Sequence, residues 1–127
     1  MIEKLMEQLS VIQDVVESKK AEEIVLLDMR GLSSEVDAFL ICHGTSIRQV
    51  KAIAEAVDEK LKEIGERPLF IEGLNEGTWV LIDCGDVAVH IFQEQTRRYY
   101  RLEELWSHAR LMGPRISPKP AQTSELV

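Results

Sequence analysis

The stretch TWVLIDCGDVAVHIF, at residues 78–92, contains two runs of β-forming residues separated by the turn sequence DCGD. Acidic residues and glycine between two such runs are typical of a tight β-hairpin. If Cys84 and Gly85 are the two loop residues, Trp79 pairs with His90 across the hairpin. We expect the rest of the fold to be arranged around this pair of strands.

The predicted hairpin has two chemically different faces, because side chains alternate across a β-sheet. One face is wholly aliphatic and is expected to lie in the core: Val80, Ile82, Val87, Val89 and Ile91. The other face mixes large apolar side chains with carboxylates: Trp79, Leu81, Asp83, Asp86, Ala88, His90 and Phe92. Aromatic anchors with a polar rim are typical of protein–protein binding sites. The mixed face is therefore the candidate binding site.

Composition indicates one globular domain with an acidic balance. The chain has 127 residues and a formal net charge of −7. This charge disfavours extensive binding to nucleic acid, which needs clustered Lys and Arg, and it favours encounter with a basic partner. No apolar run approaches the length of a transmembrane helix, so we expect no membrane contact and a cytoplasmic protein. The two cysteines form no disulfide framework or metal-binding motif.

Hydrophobic spacing predicts two long amphipathic helices, over residues 2–19 and 46–64. Ser46 and Gln49 fit a capping box at the start of the second helix, and Gly65 fits a left-handed cap after its end. A short C-terminal helix is predicted from the apolar spacing of Leu102, Leu105, Trp106 and Ala109.

Short apolar runs predict three further strands, at residues 24–29, 37–43 and 69–71. The resulting order of elements predicts an α/β fold with a five-stranded mixed sheet, two long helices on one face and the short C-terminal helix. This single domain is predicted to span residues 1–112. Residues 113–127 contain three of the four prolines and are predicted to be a disordered tail.

The turn Gly44-Thr45-Ser46 precedes a helix, where free N–H groups could hold a phosphate. Nucleotidyltransferases hold a nucleotide and its metal with such a turn and a nearby pair of carboxylates. That carboxylate pair is missing here, and small residues before a helix more often form only a turn and a cap. A nucleotide-binding or nucleotidyltransferase-like enzyme is therefore the alternative function.

The histidines show no spacing typical of a metal site, and no Ser or Cys has a recognisable base beside it. We therefore predict no catalytic residues, metal or cofactor. For His90, a packed or hydrogen-bonded histidine in an interface is favoured over a catalytic one.

The segment RRYY at residues 97–100 alternates basic and aromatic character, as RNA contacts often do. The competing interpretation packs Tyr99 or Tyr100 beneath the last helix and leaves both arginines solvated. Any contact with RNA through this segment is expected to be peripheral.

Several motifs together resemble the Iojap-related ribosomal silencing factors. They are DAFLICHGTS and RQV in residues 37–50, EG at 72–73, WVLIDCGDV and VHIF in 79–92, and RYY followed by LE-x-LW in 98–106. The resemblance covers residues 5–109. The sequence departs from the family at Cys84, where an aromatic is common, and at Ala88, where a larger branched residue is usual. We expect both positions to lie on or beside the candidate site.

This resemblance implies a nucleotidyltransferase-like fold without the catalytic apparatus. It also implies a non-enzymatic factor that binds the large ribosomal subunit through its basic protein numbered fourteen and blocks joining of the small subunit. The partner-binding residues predicted on this basis are Trp79, Leu81, Asp83, Asp86, His90 and Tyr100, and Gly44-Thr45-Ser46 would be a vestigial phosphate turn. The chain could act as a monomer or form a homodimer that buries the apolar part of the same site.

Overall fold

The computed structural model describes residues 2–105 and 110–112. The helices are α1 (Ile2–Ser18), α2 (Ile47–Glu63), α3 (Glu94–Tyr100) and α4 (Leu102–Leu105). The strands are β1 (Glu22–Asp28), β2 (Ala38–Gly44), β3 (Phe70–Glu72), β4 (Trp79–Asp83), β5 (Val87–Gln93) and β6 (Arg110–Leu111). Trp106, His108 and the predicted tail lie outside the described residues. In the described part of the chain, no helix combines the length and apolar character needed to cross a membrane.

The strands form one mixed sheet in the order β3-β4-β5-β2-β1-β6. Strands β2 and β5 are parallel, and the other neighbours are antiparallel. The predicted five-stranded mixed sheet is confirmed, and the two-residue strand β6 extends it beside β1. Helix α3, which the sequence pattern did not predict, follows β5 directly.

Helices α1 and α2 both pack on one side of the sheet, which we call the helix face. Their apolar stripes meet alternate strand residues in a continuous core, as the sequence predicted. The fully buried members from the strands include Leu26, Ala38, Leu40, Cys42, Val80, Ile82, Val87, Val89 and Ile91. The aliphatic face of the hairpin is therefore confirmed as core.

The opposite side, which we call the outer face, carries a second and smaller cluster. Its buried members are Leu27, Met29, Val36, Ile41, Ala88, Phe92 and Leu102, with Phe39, Trp79 and Leu81 partly buried against it. The short helices α3 and α4 lie on this side and cover only part of it. A substantial apolar area therefore stays close to solvent beside β4.

The predicted register of the hairpin is wrong by two residues. Trp79 pairs with Phe92 rather than His90, and the amide of Cys84 donates to the carbonyl of Val87 at 2.8 Å. The loop residues are consequently 85 and 86, because Gly85 supplies the positive φ of +93° that this turn needs at its first position. A shift of two preserves side-chain alternation, so the assignment of the strand residues to the two faces is correct; Asp86, which now lies in the loop, is the exception.

The start of α2 is capped by Ser46, whose hydroxyl accepts the amide of Gln49 at 3.0 Å. The predicted capping box is only partly formed, because Gln49 Oε1 accepts the amide of Thr45 at 2.8 Å instead of that of Ser46. The Gln49 side-chain amide also donates to the carbonyls of Lys19 and Lys20, which ties the end of α1 to the start of α2. Gly65 has the predicted left-handed φ, +78°.

Candidate functional site

The outer face brings together side chains from β4, β5 and α3 around Trp79. The ring of Tyr100 lies 5.0 Å from that of Trp79, and the ring of Phe92 lies 4.8 Å from it on the opposite strand. Leu81 follows Trp79 on the same face and pairs across the strands with His90. Five of the six residues predicted to bind a partner therefore lie together on the outer face: Trp79, Leu81, Asp83, His90 and Tyr100.

A hydrogen bond joins Trp79 to His90 and determines which ring nitrogen of the neutral imidazole carries the proton. The indole Nε1–H of Trp79 donates to Nδ1 of His90 at 3.1 Å. Because an indole can only donate, Nδ1 must accept, and the proton of neutral His90 lies on Nε2. His90 is only 7% exposed, and burial lowers its pKa to about 4. At neutral pH this histidine is an uncharged packing residue that orients the indole.

The free energy of unfolding should decrease as the pH is lowered, because His90 resists protonation in the folded protein. The unfolded chain takes up a proton near pH 6.5, whereas folded His90 resists protonation until about pH 4. The stabilising contribution is therefore complete above pH 6.5 and is lost as the pH falls towards 4. Between pH 7 and pH 5 we expect the loss to be about 2 kcal/mol.

This expectation is checked by urea unfolding at pH 7 and pH 5, with His90→Asn as the matched variant. Asn retains an acceptor for the indole but does not titrate. The parent chain should lose about 2 kcal/mol more than the variant on acidification. Equal losses in the two proteins would show that His90 is not held neutral by the fold.

The acidic residues of the candidate site lie in two different places. Asp83 continues the outer face beyond Leu81, and its Oδ1 accepts the amide of Gly85 at 2.8 Å. Asp86 is exposed at the tip of the hairpin and lines a depression with Lys4 and Gln8 of α1. The structure thus groups Asp83 with the aromatic surface and places Asp86 towards the helix face.

Two phenylalanines that the sequence reasoning did not include belong to the same surface. Phe39 of β2 packs edge-on against His90, with ring centroids 4.7 Å apart. Phe70 of β3 pairs across the strands with Asp83 and is 45% exposed. Alternation in the predicted strands could have placed each on a face, but the order of the strands in the sheet was needed to bring Phe39 beside His90 and Phe70 beside Asp83.

The two arginines of the RRYY segment differ, because the expectation of solvated arginines is correct for Arg98 and wrong for Arg97. Arg97 is buried, and Arg98 donates to Glu23 and Glu94. The tyrosines are instead the exposed members, Tyr99 at 80% and Tyr100 at 50%. The segment therefore presents two aromatic rings to solvent beside the ion-paired guanidinium of Arg98, and neither tyrosine packs beneath the part of the last helix that the structure describes.

The turn at Gly44-Thr45-Ser46 is occupied by the protein's own side chains. Gln49 Oε1 accepts from both the amide and the hydroxyl of Thr45, and the hydroxyl of Ser46 is engaged as the cap of α2. A Cβ at Gly44 would lie 3.1 Å from Gln49 Oε1, so the same side chain fills the space beside the glycine. A phosphate at this turn would have to displace Gln49.

One group of side chains in the described residues has spacing compatible with a metal ion: Glu22, His43 and Glu94. Arg97 Nη1 lies 2.9 Å from His43 Nδ1. A guanidinium can only donate, so Nδ1 accepts and Nε2 carries the proton. That nitrogen is the one facing Glu22, at 3.3 Å, and it has no lone pair to offer a cation. The group is an internal polar network rather than a metal site.

Comparisons with known proteins agree with the resemblance seen in the motifs. The family described as "Ribosomal silencing factor during starvation" matches residues 2–126. A Bacillus subtilis protein named "Ribosomal silencing factor RsfS" is 48% identical over 95 residues, covering 75% of this chain and 80% of its own. The chain belongs to the ribosomal silencing factor family.

The fold is shared within this family. An X-ray crystal structure of a protein from Chromobacterium violaceum superposes with a TM-score of 0.78 and 36% identity, covering 91% of this chain and 94% of the other. A more distant mouse relative, 26% identical over 78% of this chain and 45% of its own, is named "Mitochondrial assembly of ribosomal large subunit protein 1".

The two departures from the family pattern have different consequences. Cys84 is partly buried against the helix-face core, so it does not shape the outer face as the sequence had suggested. Ala88 is buried on the outer face, where it pairs across the strands with Asp83. Burial raises the pKa of the Cys42 and Cys84 thiols to about 12, which keeps both protonated at neutral pH.

Proposed function

We propose that this silencing factor binds the large ribosomal subunit through its outer face, blocks joining of the small subunit and thereby represses translation without catalysing a reaction. The observation that carries the proposal is the partly exposed aromatic and apolar area around Trp79, on the side of the sheet that α1 and α2 leave uncovered. We call Phe70, Trp79, Leu81, Asp83 and Tyr100 the docking surface.

The docking surface has the composition of a protein-binding site. Large apolar side chains that are half-buried in the free protein can complete their burial against a partner with little ordering cost. Trp79 is held by its hydrogen bond to His90 and by ring contacts on two sides, so its orientation is already set before binding. A rigid indole at the centre of an apolar patch is typical of a binding hot spot.

Charge favours a basic partner. Glu72 of β3 is exposed on the outer face and pairs with Leu81. Asp83 follows Leu81 on the same face, so carboxylates border the apolar area. The whole chain carries −7, which would steer it towards a positive surface. The basic large-subunit protein numbered fourteen, which the family resemblance implies, fits this requirement. The relatives' names refer to ribosomal silencing and to the large ribosomal subunit, which supports a partner on the ribosome. We propose that the chain acts in the cytoplasm.

Light scattering of purified ribosomal subunits tests the proposed block. Large subunits incubated first with the chain at equal concentration should show a reduced scattering increase when small subunits are added. Incubation with small subunits first, followed by rapid mixing with large subunits, should inhibit less. An unchanged scattering increase in both orders, or inhibition only after incubation with small subunits, would contradict the proposal.

Absence of nucleotide chemistry is the second expectation of the proposal. Since Gln49 already bonds to Thr45, we expect titration calorimetry with millimolar ATP and Mg²⁺ to show no saturable heat for the parent chain. The same titration of the variant Gln49→Ala, which removes the side chain that occupies the turn, is compared with that of the parent chain. Saturable binding by the parent would favour the nucleotide-binding enzyme instead.

Contact with ribosomal RNA is a minor part of the proposal. Tyr99 offers an exposed ring that could stack on a base, while Arg97 and Arg98 are engaged within the protein. We therefore propose that recognition depends on protein–protein contact, with RNA at the periphery.

A further inference from the structure

Helix α3, which carries two exposed tyrosines of the outer face, is held to the sheet in an unusual way. Of its seven residues, the one that is buried is Arg97, at 2% exposure. Its first turn has no side-chain cap, and its last residue is followed by Arg101 with a left-handed φ of +52°. The helix is therefore anchored by a buried charged side chain rather than by an apolar stripe.

The anchor of Arg97 is a histidine in the central strand β2. Arg97 Nη1 donates to His43 Nδ1 at 2.9 Å and to the carbonyl of Glu22 at 3.4 Å. His43 is fully buried, and because its Nδ1 accepts, its Nε2–H faces Glu22 Oε1 at 3.3 Å. The guanidinium of Arg97 thus connects α3 to β2 through His43 and to β1 through the carbonyl of Glu22.

A second connection runs across the surface from Arg98. Its guanidinium contacts both carboxylate oxygens of Glu23, at 2.7 and 3.3 Å, and also reaches Glu94 at 3.3 Å. Glu23 has a left-handed φ of +47° and lies in an irregularity of the β1–β2 pairing between Glu22 and Val25. Bulges of this kind redirect side chains, and this one presents Glu23 to α3. The ion pair also lowers the pKa of Glu23.

We infer that Arg97 and His43, assisted by the Arg98–Glu23 pair, are positioning residues that hold Tyr100 against Trp79 and Tyr99 against Tyr100. The ring centroids of these two pairs are 5.0 and 5.1 Å apart. Both tyrosines are too exposed for their own burial to fix the helix, so the contacts of Arg97 and Arg98 set where the rings lie. The inference rests on the proposed function only for its consequence in binding.

The indole N–H resonance of Trp79 in a ¹⁵N-labelled chain tests the positioning without any ribosome. Tyr100→Ala removes a neighbouring ring and should shift this resonance. Arg97→Met, which keeps the length of the side chain but removes its donors, should shift it in the same direction. Arg97→Lys, which keeps a charged donor, should restore part of the parent position. Arg67→Met, the same change at an exposed arginine that lines the depression beside Asp86, should leave the resonance in place.

A Trp79 resonance that stays in place in folded Arg97→Met would overturn the inference. If Arg97→Met fails to fold, Glu23→Met decides, because it removes both acceptor oxygens that Glu23 offers to Arg98 and leaves the buried network intact. That variant should give a smaller shift in the same direction as Tyr100→Ala, and an unmoved resonance would again overturn the inference.

Binding to the large subunit then tests the consequence through a double-mutant cycle. Arg97→Met should weaken binding on the order of tenfold in the parent background and by less than about twofold in the Tyr100→Ala background. Equal losses in the two backgrounds would show that Arg97 does not act through Tyr100. If the parent chain itself does not bind large subunits, the proposed function fails, while the resonance of Trp79 still reports on the positioning.

Discussion

Replacing Trp79 with alanine is expected to weaken binding to purified large ribosomal subunits by about 2–3 kcal/mol, which corresponds to tens of fold or more in Kd. The indole is the largest side chain of the docking surface; it contacts the rings of Tyr100 and Phe92, and its orientation is fixed by His90. Removing it takes away the anchor and leaves a depression that the partner cannot fill. Co-sedimentation at several concentrations of the chain measures the change.

Two matched variants separate loss of the anchor from general effects. Trp79→Phe keeps an aromatic ring but loses the indole donor, so it should bind with an affinity between those of the parent and Trp79→Ala. Asp83→Lys reverses a charge on the docking surface and should weaken binding to a basic partner, whereas Glu59→Lys makes the same change on the exposed side of α2 and should not. If folded Trp79→Ala and Asp83→Lys both bind as the parent does, the docking surface is assigned to the wrong residues.

Replacing Gly73 with alanine is expected to lower the free energy of unfolding by about 3 kcal/mol. Gly73 has a φ of +83°, and a Cβ there would lie 2.1 Å from the carbonyl oxygen of Trp79. An L-residue would therefore be strained in its backbone and would also push the β3–β4 connection away from the start of β4. The displaced segment is the one that carries Trp79, so binding should fall together with stability.

Gly65→Ala is the matched control for this effect. Gly65 has nearly the same φ, +78°, but a Cβ there meets nothing within 4 Å. It should cost only the backbone strain, about 1 kcal/mol. Urea unfolding of the two variants beside the parent measures the difference. Equal destabilisation would mean that the contact with the Trp79 carbonyl is relieved without cost.

The fold was largely predictable because its main signals are local. The apolar stripes of α1 and α2, the cap at Ser46 and the alternation in β4 and β5 each follow from the spacing of neighbouring residues. Alternation also explains why the faces were assigned correctly although the register was not. The loop consists of Gly85 and Asp86 rather than Cys84 and Gly85, which shifts the register by two. An even shift leaves every strand side chain on its own face.

The parts of the site that were not predicted depend on contacts between distant segments. Phe39 and Phe70 join the outer face only because β2 and β3 flank the hairpin at its two sides in the sheet. Arg97 looked like a solvated residue, since nothing nearby in sequence marks His43 as its partner, 54 positions away. Asp86 shares the alternation of the outer face, but the hairpin tip places it beside α1.

Photo-crosslinking from Phe70 tests the central claim most directly. p-Benzoylphenylalanine in place of Phe70 keeps an aromatic ring on the docking surface, and the same residue in place of Glu59 puts the probe on the exposed side of α2. With purified large subunits, irradiation should join the first protein to one basic large-subunit protein, while the second should give little or no product. Crosslinks from position 59 but none from position 70 would contradict docking through the outer face.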